Sequence, residues 1–433
     1  MRKVHIQNFG CRATQADGAA LESLLAGRGF EAARGHAEAN LVILNTCTVT
    51  STADEDVRSA VRRVHRENPE ARILVTGCYA QRAPEELAAM PGVTWVVGNS
   101  HKTSIPDLVV DEGVFEGGVP YHGGVHVGEV TSFLTAPVED AGADRTRPNL
   151  KIQDGCSNRC SFCIIPSVRG RSRSLPADEV VEQVRRLAER YREVVLSGIN
   201  LGRWGREQGV NLRLAALVRR LLSETGIERI RLSSVEPMDF SDDLLALMAE
   251  SGRIARHVHA PLQSGCDAVL KRMRRKYRTR HYEDRVRKAR AWIPEAGIGA
   301  DVMTGFPGET DAEFEESRSF IATLPFTYLH VFTYSERPGT EAAARTDQVP
   351  MAVRRERTRV LRALAAEKNL AFRQSFVGQS LPVVTLGKAG TALSDNYLPV
   401  ELATPRAENR LVTVRIGAVT ANGLREANPL AVL

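Results

Sequence analysis

Three cysteines within eight residues constrain this chain more than any other feature. Cys156-Ser-Asn-Arg-Cys160-Ser-Phe-Cys163 has the spacing C-x3-C-x2-C and follows a short segment at 150–153 that reads as a strand. Three thiolates in one loop can hold three irons of a cubic iron–sulfur cluster and leave the fourth iron open to a small molecule. Zinc is the rival ion, but it normally takes four ligands, usually from paired C-x2-4-C segments. No matching Cys or His pair lies nearby.

The loop opens a long alternation of strand and helix patterns. Candidate strands are 150–153, 193–196, 229–232, 257–260, 299–303 and 328–332. Helical periodicity fills 177–191, 213–224, 242–250, 267–273, 282–295 and 311–323. Six such units predict a partial (β/α)6 barrel of the TIM type, open on one side, with its chemistry at the carboxyl ends of the strands.

The first hundred residues show a shorter version of the rhythm: strands at 3–8, 41–44, 73–75 and 95–97, and helices at 18–29, 54–67 and 84–90, with Asp54 as an N-cap. This predicts a Rossmann-like parallel α/β domain. Cys11, Cys47 and Cys78 follow the first, second and third strands, in the settings FGC, NTC and TGC. Ligands gather at the carboxyl ends of such strands, so three thiols far apart in sequence can meet at one edge. The alternative is three unrelated buried cysteines.

Residues 116–149 are rich in Gly, Pro, His and Asp and read as a connector with a short hairpin at 125–134. A charged helix at 354–372 is followed by short β runs at 381–386, 397–402 and 411–418, which fit a small OB-like β-barrel. The α/β chain thus divides into 1–115, the connector 116–149, 150–372 and 373–433. At 433 residues, this agrees with a prior of two to three domains.

With 43% hydrophobic and 25% charged residues, the composition excludes disorder and a small disulfide scaffold. No apolar stretch approaches the ~18 residues of a membrane span. The opening MRKVHIQNFG lacks a signal-peptide core. A cytoplasmic protein without membrane association is expected, where clustered thiols serve metals or catalysis more often than disulfides. The net charge is +6, yet 271–290 alone holds eleven Lys/Arg against two acidic residues. That run points to an anionic partner, or else to a solvated helix face.

The C-x3-C-x2-C loop at the head of a partial barrel resembles the radical S-adenosylmethionine (radical SAM) superfamily. Lys151-Ile-Gln-Asp-Gly-Cys156 and Cys163-Ile-Ile-Pro-Ser-Val-Arg-Gly-Arg-Ser-Arg173 narrow the resemblance to its methylthiotransferases. So do Asn8-Phe-Gly-Cys11, Asn45-Thr-Cys47-Thr-Val-Thr50, Thr76-Gly-Cys78-Tyr-Ala-Gln81, Pro261-Leu-Gln-Ser-Gly265, Arg272-Met-Arg-Arg-Lys-Tyr277 and Gly305-Phe-Pro-Gly-Glu309. The resemblance spans nearly the whole chain and makes the last segment similar to the RNA-binding TRAM domain. Within the family, the chain most resembles the branch acting on threonylcarbamoyladenosine in tRNA. Other branches act on isopentenyladenosine in tRNA or on an aspartate of ribosomal protein S12. A reading from a different class is an iron–sulfur RNA-binding protein without catalysis.

The resemblance implies two 4Fe–4S clusters. Cys156, Cys160 and Cys163 would carry the catalytic one, and Cys11, Cys47 and Cys78 an auxiliary one. It also implies S-adenosylmethionine as both radical source and methyl donor, with the radical taking hydrogen from C2 of the adenine. Strand-end residues Ser197, Gly198, Asn200, Ser234, Glu236, His259, Gln263 and Asp301 would bind the cofactor. Arg169, Arg171, Arg173, Arg272, Arg274, Arg275, Lys276 and Arg278 would contact RNA. The partners implied are the tRNA anticodon loop and a one-electron donor such as flavodoxin or ferredoxin, not DNA. Cys266 is left over and reads as structural.

Overall fold

The computed structural model describes residues 2–111, 124–131, 133–134, 146–208 and 213–428. Their contacts divide the chain into two compact units. The first comprises Met1–Asp140, Gln153–Ser174 and Ser335–Ala343, and the second Ala141–Ile152, Leu175–Tyr334 and Ala344–Leu433. The C-x3-C-x2-C loop therefore packs with the amino-terminal sheet. Among the described residues no helix is long and apolar enough to cross a membrane.

The first unit is built on six strands: β1 (Arg2–Asn8), β2 (Phe30–Ala32), β3 (Leu41–Thr46), β4 (Arg72–Gly77), β5 (Val93–Gly98) and β6 (Val125–His126), in the order β2-β1-β3-β4-β5-β6. All are parallel. A parallel sheet covered by helices on both faces needs strands that are apolar throughout, and β3 is buried at all six positions. Leu41 and Ile43 enter one core with Leu21, Leu25 and Trp95. Val42 and Leu44 enter the other with Val57, Val61 and Val64. At ~1.5–3 kcal/mol for each fully buried aliphatic side chain, β3 anchors both cores.

Three local expectations are corrected here. The first helix spans Arg12–Ala26 and starts immediately after Cys11, not at Gly18. Its leading turns bury Ala13, Thr14, Asp17 and Gly18, so large apolar residues do not mark its start. The second helix spans Ser51–Glu67 and is capped by Thr50, whose hydroxyl accepts from the Ala53 N–H at 3.2 Å. Asp54 lies inside the first turn, bound by Thr48 at 2.6 Å, Arg82 at 3.0 Å and Arg337 at 2.7 Å. The expected hairpin is replaced, within the described residues, by β6 pairing parallel to β5. The rest of that connector, 116–123, 132 and 135–145, lies outside the described residues.

β7 (Asn149–Asp154) passes from the second unit into the first, where its end pairs antiparallel with β8 (Arg173–Ser174). In the second unit, β9 (Glu193–Gly198) lies between β7 and β10 (Arg229–Leu232). β11 (His257–His259), β12 (Gly297–Thr304) and β13 (Tyr328–Thr333) form a parallel trio. One bridge, Ile230 to Ile254, and the Val235 N–H bond to the His259 carbonyl at 3.0 Å join the two groups. The result is the open (β/α)6 arrangement.

A 24-residue helix, Met351–Gln374, leads to a closed barrel. Its strands are β14 (Ser380–Thr385), β15 (Thr391–Ser394), β16 (Pro399–Glu401), β17 (Leu411–Val419) and β18 (Leu424–Glu426), in the order β14-β15-β16-β18-β17. β15 and β18, of four and three residues, escape the sequence pattern because they are too short to show alternation.

The turn after β15 fits against the amino ends of the larger barrel's strands. Arg231 donates to the carbonyls of Ser394 and Asp395 at 3.0 and 2.9 Å. Tyr397 stacks on His257 with centroids 4.5 Å apart. Under it, Glu193 is fully buried and takes Arg231 Nε at 2.8 Å. Burial alone would raise this carboxyl, but Arg231, Arg147 and Arg229 bring it down to about 2. A folded-state value below the ordinary one stabilises the fold above the unfolded pKa of about 4.3, and that contribution is lost as pH falls toward 2. We expect Glu193→Gln to cost about 3–5 kcal/mol at neutral pH, because three guanidinium groups lose their counter-charge. It should also flatten the loss of stability below pH 4.5; urea unfolding at pH 7 and pH 3.5 measures both effects.

Candidate metal centre and cofactor face

β1, β3 and β4 are neighbours, with Asn8 level with Asn45 and Thr46 level with Gly77. Cys11, Cys47 and Cys78 therefore leave adjacent strands at the same edge. Two glycines allow the close approach. Gly10 has φ +99°, and a Cβ there would stand 2.4 Å from Cys47 Cβ; Gly77 has φ +101°, and a Cβ would meet the Thr46 carbonyl at 2.4 Å. Below the thiols, Asn45 donates to Asn8 Oδ1 at 2.8 Å and to the Thr14 carbonyl at 2.7 Å.

Cys47 and Cys78 are buried and Cys11 is exposed. Burial pushes the Cys47 thiol up to about 12, and the nearness of Cys78 and Cys11 adds to the rise. Three thiols close enough to oppose one another's ionisation need a cation to become thiolates together. An iron–sulfur cluster provides that charge, since a bound metal inverts the local electrostatics. The donor set fits such a group.

The second triad departs from the end of β7. Asp154 Oδ1 accepts the Gly155 N–H at 2.8 Å, and the Cys156 N–H reaches the Gly170 carbonyl at 3.1 Å. Gly155 has φ +68°, and a Cβ would lie 2.1 Å from the Arg171 carbonyl. The Asn158 N–H points at Cys156 Sγ (3.4 Å), and the Cys163 N–H closes a turn on the Cys160 carbonyl (3.1 Å). All three cysteines are partly accessible, as a cluster open to a small molecule requires. Ile164 and Val168, just beyond the loop, share one buried apolar cluster with Cys78. Both triads thus belong to the first unit.

Arg169 is corrected by the structure. It is 1% exposed and bound to Asp154, Asp17 and Cys78, so it is not an RNA contact. Arg173 is half-buried and donates to the carbonyls of Val130, Arg171 and Arg169. Arg272 pairs with Glu313 at 2.7 Å, and Arg275 pairs with Glu236 with its side chain only 5% exposed. Arg171, Arg274, Lys276 and Arg278 are exposed. Much of the remaining basic run is answered locally: Arg285 and Lys288 by Asp242, and Arg287 by Glu283.

In the second unit, Ser234, His259 and Asp301 come together. Ser234 Oγ lies 2.7 Å from His259 Nδ1; His259 Nε2 and His330 Nδ1 lie 3.4 and 3.2 Å from Asp301 Oδ1. The two imidazoles hold the Asp301 carboxyl below the usual range, against burial that would raise it. These three donor groups could also hold a divalent ion; Ser234 hydrogen-bonds His259 and His330 hydrogen-bonds Asp301, while His259 Nε2 faces Asp301 without a hydrogen bond. Gln263 has φ +68° and its N–H bonds the Asp301 carbonyl at 2.8 Å. Ser197, Gly198 and Asn200 lie at the end of β9, with Ser197 Oγ 3.5 Å from the Leu150 carbonyl. Glu236 is occupied by Arg275. Cys266 is buried at the start of helix Asp267–Arg272, its thiol 3.1 Å from Glu316.

Sequence reasoning missed His330, Asp17, Lys102 and Asn99, and gave Asp154 no role. His330 was discoverable from register: it stands opposite Asp301. The others carry no sequence signal, because each acts through a partner distant in the chain.

Comparison with known proteins decides the family. A profile described as the Radical SAM superfamily matches residues 150–321, and one described as Uncharacterized protein family UPF0004 matches residues 3–98. The chain is 38% identical over 386 residues to the threonylcarbamoyladenosine tRNA methylthiotransferase MtaB of Bacillus subtilis, covering 89% of this chain and 85% of that protein. The chain belongs to the radical SAM methylthiotransferases. It is 35% identical to the Aquifex aeolicus protein of the same name, covering 96% of this chain and all of that one. It is also 35% identical to a tRNA-2-methylthio-N(6)-dimethylallyladenosine synthase of Syntrophotalea carbinolica, covering 90% and 89%. The fold resembles that of the cobalamin-dependent radical enzyme OxsB (TM-score 0.53, 11% identity, 74% of this chain and 51% of that one). As a radical SAM methylthiotransferase, the chain uses S-adenosylmethionine and a 4Fe–4S cluster.

Proposed function

We propose that this enzyme adds a methylthio group to C2 of N6-threonylcarbamoyladenosine beside the tRNA anticodon. The observation that carries this reading is the pair of cysteine triads in one compact unit, on a chain whose relatives include proteins named for that reaction. Cys156, Cys160 and Cys163 would hold the cluster that meets S-adenosylmethionine, and Cys11, Cys47 and Cys78 a second 4Fe–4S cluster. When bound, these groups supply the one-electron chemistry that activates an adenine C–H bond, and the sulfur, methylated by a second S-adenosylmethionine.

The protein's own part is to hold and orient. Asp154 fixes the turn into Cys156. Ser197, Gly198, Asn200, Ser234, His259, Gln263 and Asp301 offer polar groups to the cofactor at strand ends. Arg171, Arg274, Lys276 and Arg278 offer exposed charge to phosphates, and the anticodon loop presents the unpaired base that such enzymes extract. A flavodoxin or ferredoxin in the cytoplasm would supply electrons.

Mass spectrometry of tRNA nucleosides from a deletion strain tests the reading. Loss of 2-methylthio-threonylcarbamoyladenosine, restored by the gene, is the expected result. Loss of the dimethylallyl product instead, or an unchanged tRNA pool with altered ribosomal protein S12, overturns it. A triple Arg274→Ala, Lys276→Ala, Arg278→Ala variant should weaken tRNA binding and flatten the slope of log K against log[salt] by about 2. Filter binding between 50 and 300 mM salt checks this.

A further inference from the structure

Arg169 carries a positive charge into a site where it is fully enclosed. Its two terminal nitrogens are used by carboxylates: Nη1 lies 3.0 and 3.1 Å from the Asp154 oxygens, and Nη2 3.1 Å from Asp17. Asp17 also takes Lys102 Nζ at 2.9 Å, and Lys102 reaches Asn45 Oδ1 at 3.2 Å. Two buried cations therefore balance two buried carboxylates. This leaves the Arg169 Nε–H, which points at Cys78 Sγ from 3.2 Å. Asn99 supplies a second, longer N–H to the same sulfur at 3.5 Å while donating to the Val168 carbonyl at 2.8 Å. A charge-assisted donor is stronger toward an ionised acceptor than toward a neutral thiol. The arrangement suits a thiolate.

We propose that Arg169 is a positioning residue that sets the reduction potential of the Cys11/Cys47/Cys78 cluster through its N–H···S bond to Cys78. The inference rests on the reading that these cysteines hold a 4Fe–4S group. One-electron reduction adds negative charge to the cluster and its sulfurs, so a donor aimed at Sγ stabilises the reduced form more than the oxidised one. Hydrogen bonds to the sulfurs are an established determinant of cluster potentials. The same guanidinium holds Asp154, which anchors the turn into Cys156, so one side chain braces both cysteine loops.

The test uses full-length protein carrying Cys156→Ala, Cys160→Ala and Cys163→Ala, reconstituted anaerobically so that only the Cys11/Cys47/Cys78 site can hold iron. Arg169→Lys and Asn99→Ala are added separately, and the cluster is titrated with dithionite under electron paramagnetic resonance. Arg169→Lys should disfavour reduction about tenfold, a shift of about 59 mV to more negative potential. It should also lose an exchangeable-proton coupling. Asn99→Ala should shift the potential in the same direction by about threefold in the equilibrium. Unchanged potentials in variants that retain their iron overturn the proposal. If Arg169→Lys cannot hold the cluster, an unshifted Asn99→Ala overturns it by itself. Absence of iron from the parent triple variant overturns the cluster reading instead.

Discussion

Cys160→Ala should abolish reductive cleavage of S-adenosylmethionine, leaving 5′-deoxyadenosine at background. Cys160 stands midway in a loop pinned at both ends: by the Cys156 N–H on Gly170, and by the turn from Cys163 back to the Cys160 carbonyl. No other cysteine of the loop could substitute, because Cys156 and Cys163 would already be committed to two other irons. Iron should fall from about eight to about four per chain if each triad holds one cubane. The residual iron should keep the spectrum of a 4Fe–4S cluster. Substantial 5′-deoxyadenosine from reduced Cys160→Ala protein would refute the assignment of this triad.

Cys47→Ala should produce the complementary defect. Cys47 lies between its partners at the sheet edge, packed against Gly10, its pKa raised first by burial and then by Cys78 and Cys11. If that triad holds a second cluster, the loss of Cys47 should remove it, again leaving about four irons. Cleavage of S-adenosylmethionine should persist at the other triad, while the 2-methylthio product disappears entirely. Product analysis and 5′-deoxyadenosine assay of one reaction separate the two activities. Equal loss of both, with the first cluster intact by spectroscopy, would refute this division of labour.

The strand pattern was legible because short apolar runs such as 41–44 and 194–196 lie between segments of strong helical periodicity. The helix after Cys11 was less so, since its buried face uses Thr14, Asp17 and Gly18 in place of large aliphatic residues. The basic residues were the least legible part. Arg171 and Arg169 are two positions apart and chemically identical, yet one is exposed and the other encloses its charge among Asp17, Asp154 and Cys78. Local sequence records the charge of a side chain but not the direction in which its backbone aims it.

The strand–helix rhythm by itself determined the α/β class, and the cysteine motifs with their flanking residues carried the resemblance to the family. These are properties of neighbouring residues, and a loop of eight residues brings its own ligands together. Tertiary structure alone decided that the C-x3-C-x2-C loop packs with the amino-terminal sheet, that Arg169 reaches Cys78, and that His330 joins His259 beside Asp301. Such contacts can join residues 283 positions apart, as between Asp54 and Arg337. They exist only because strand register and burial bring each buried charge its partners from distant parts of the chain, which no local pattern encodes.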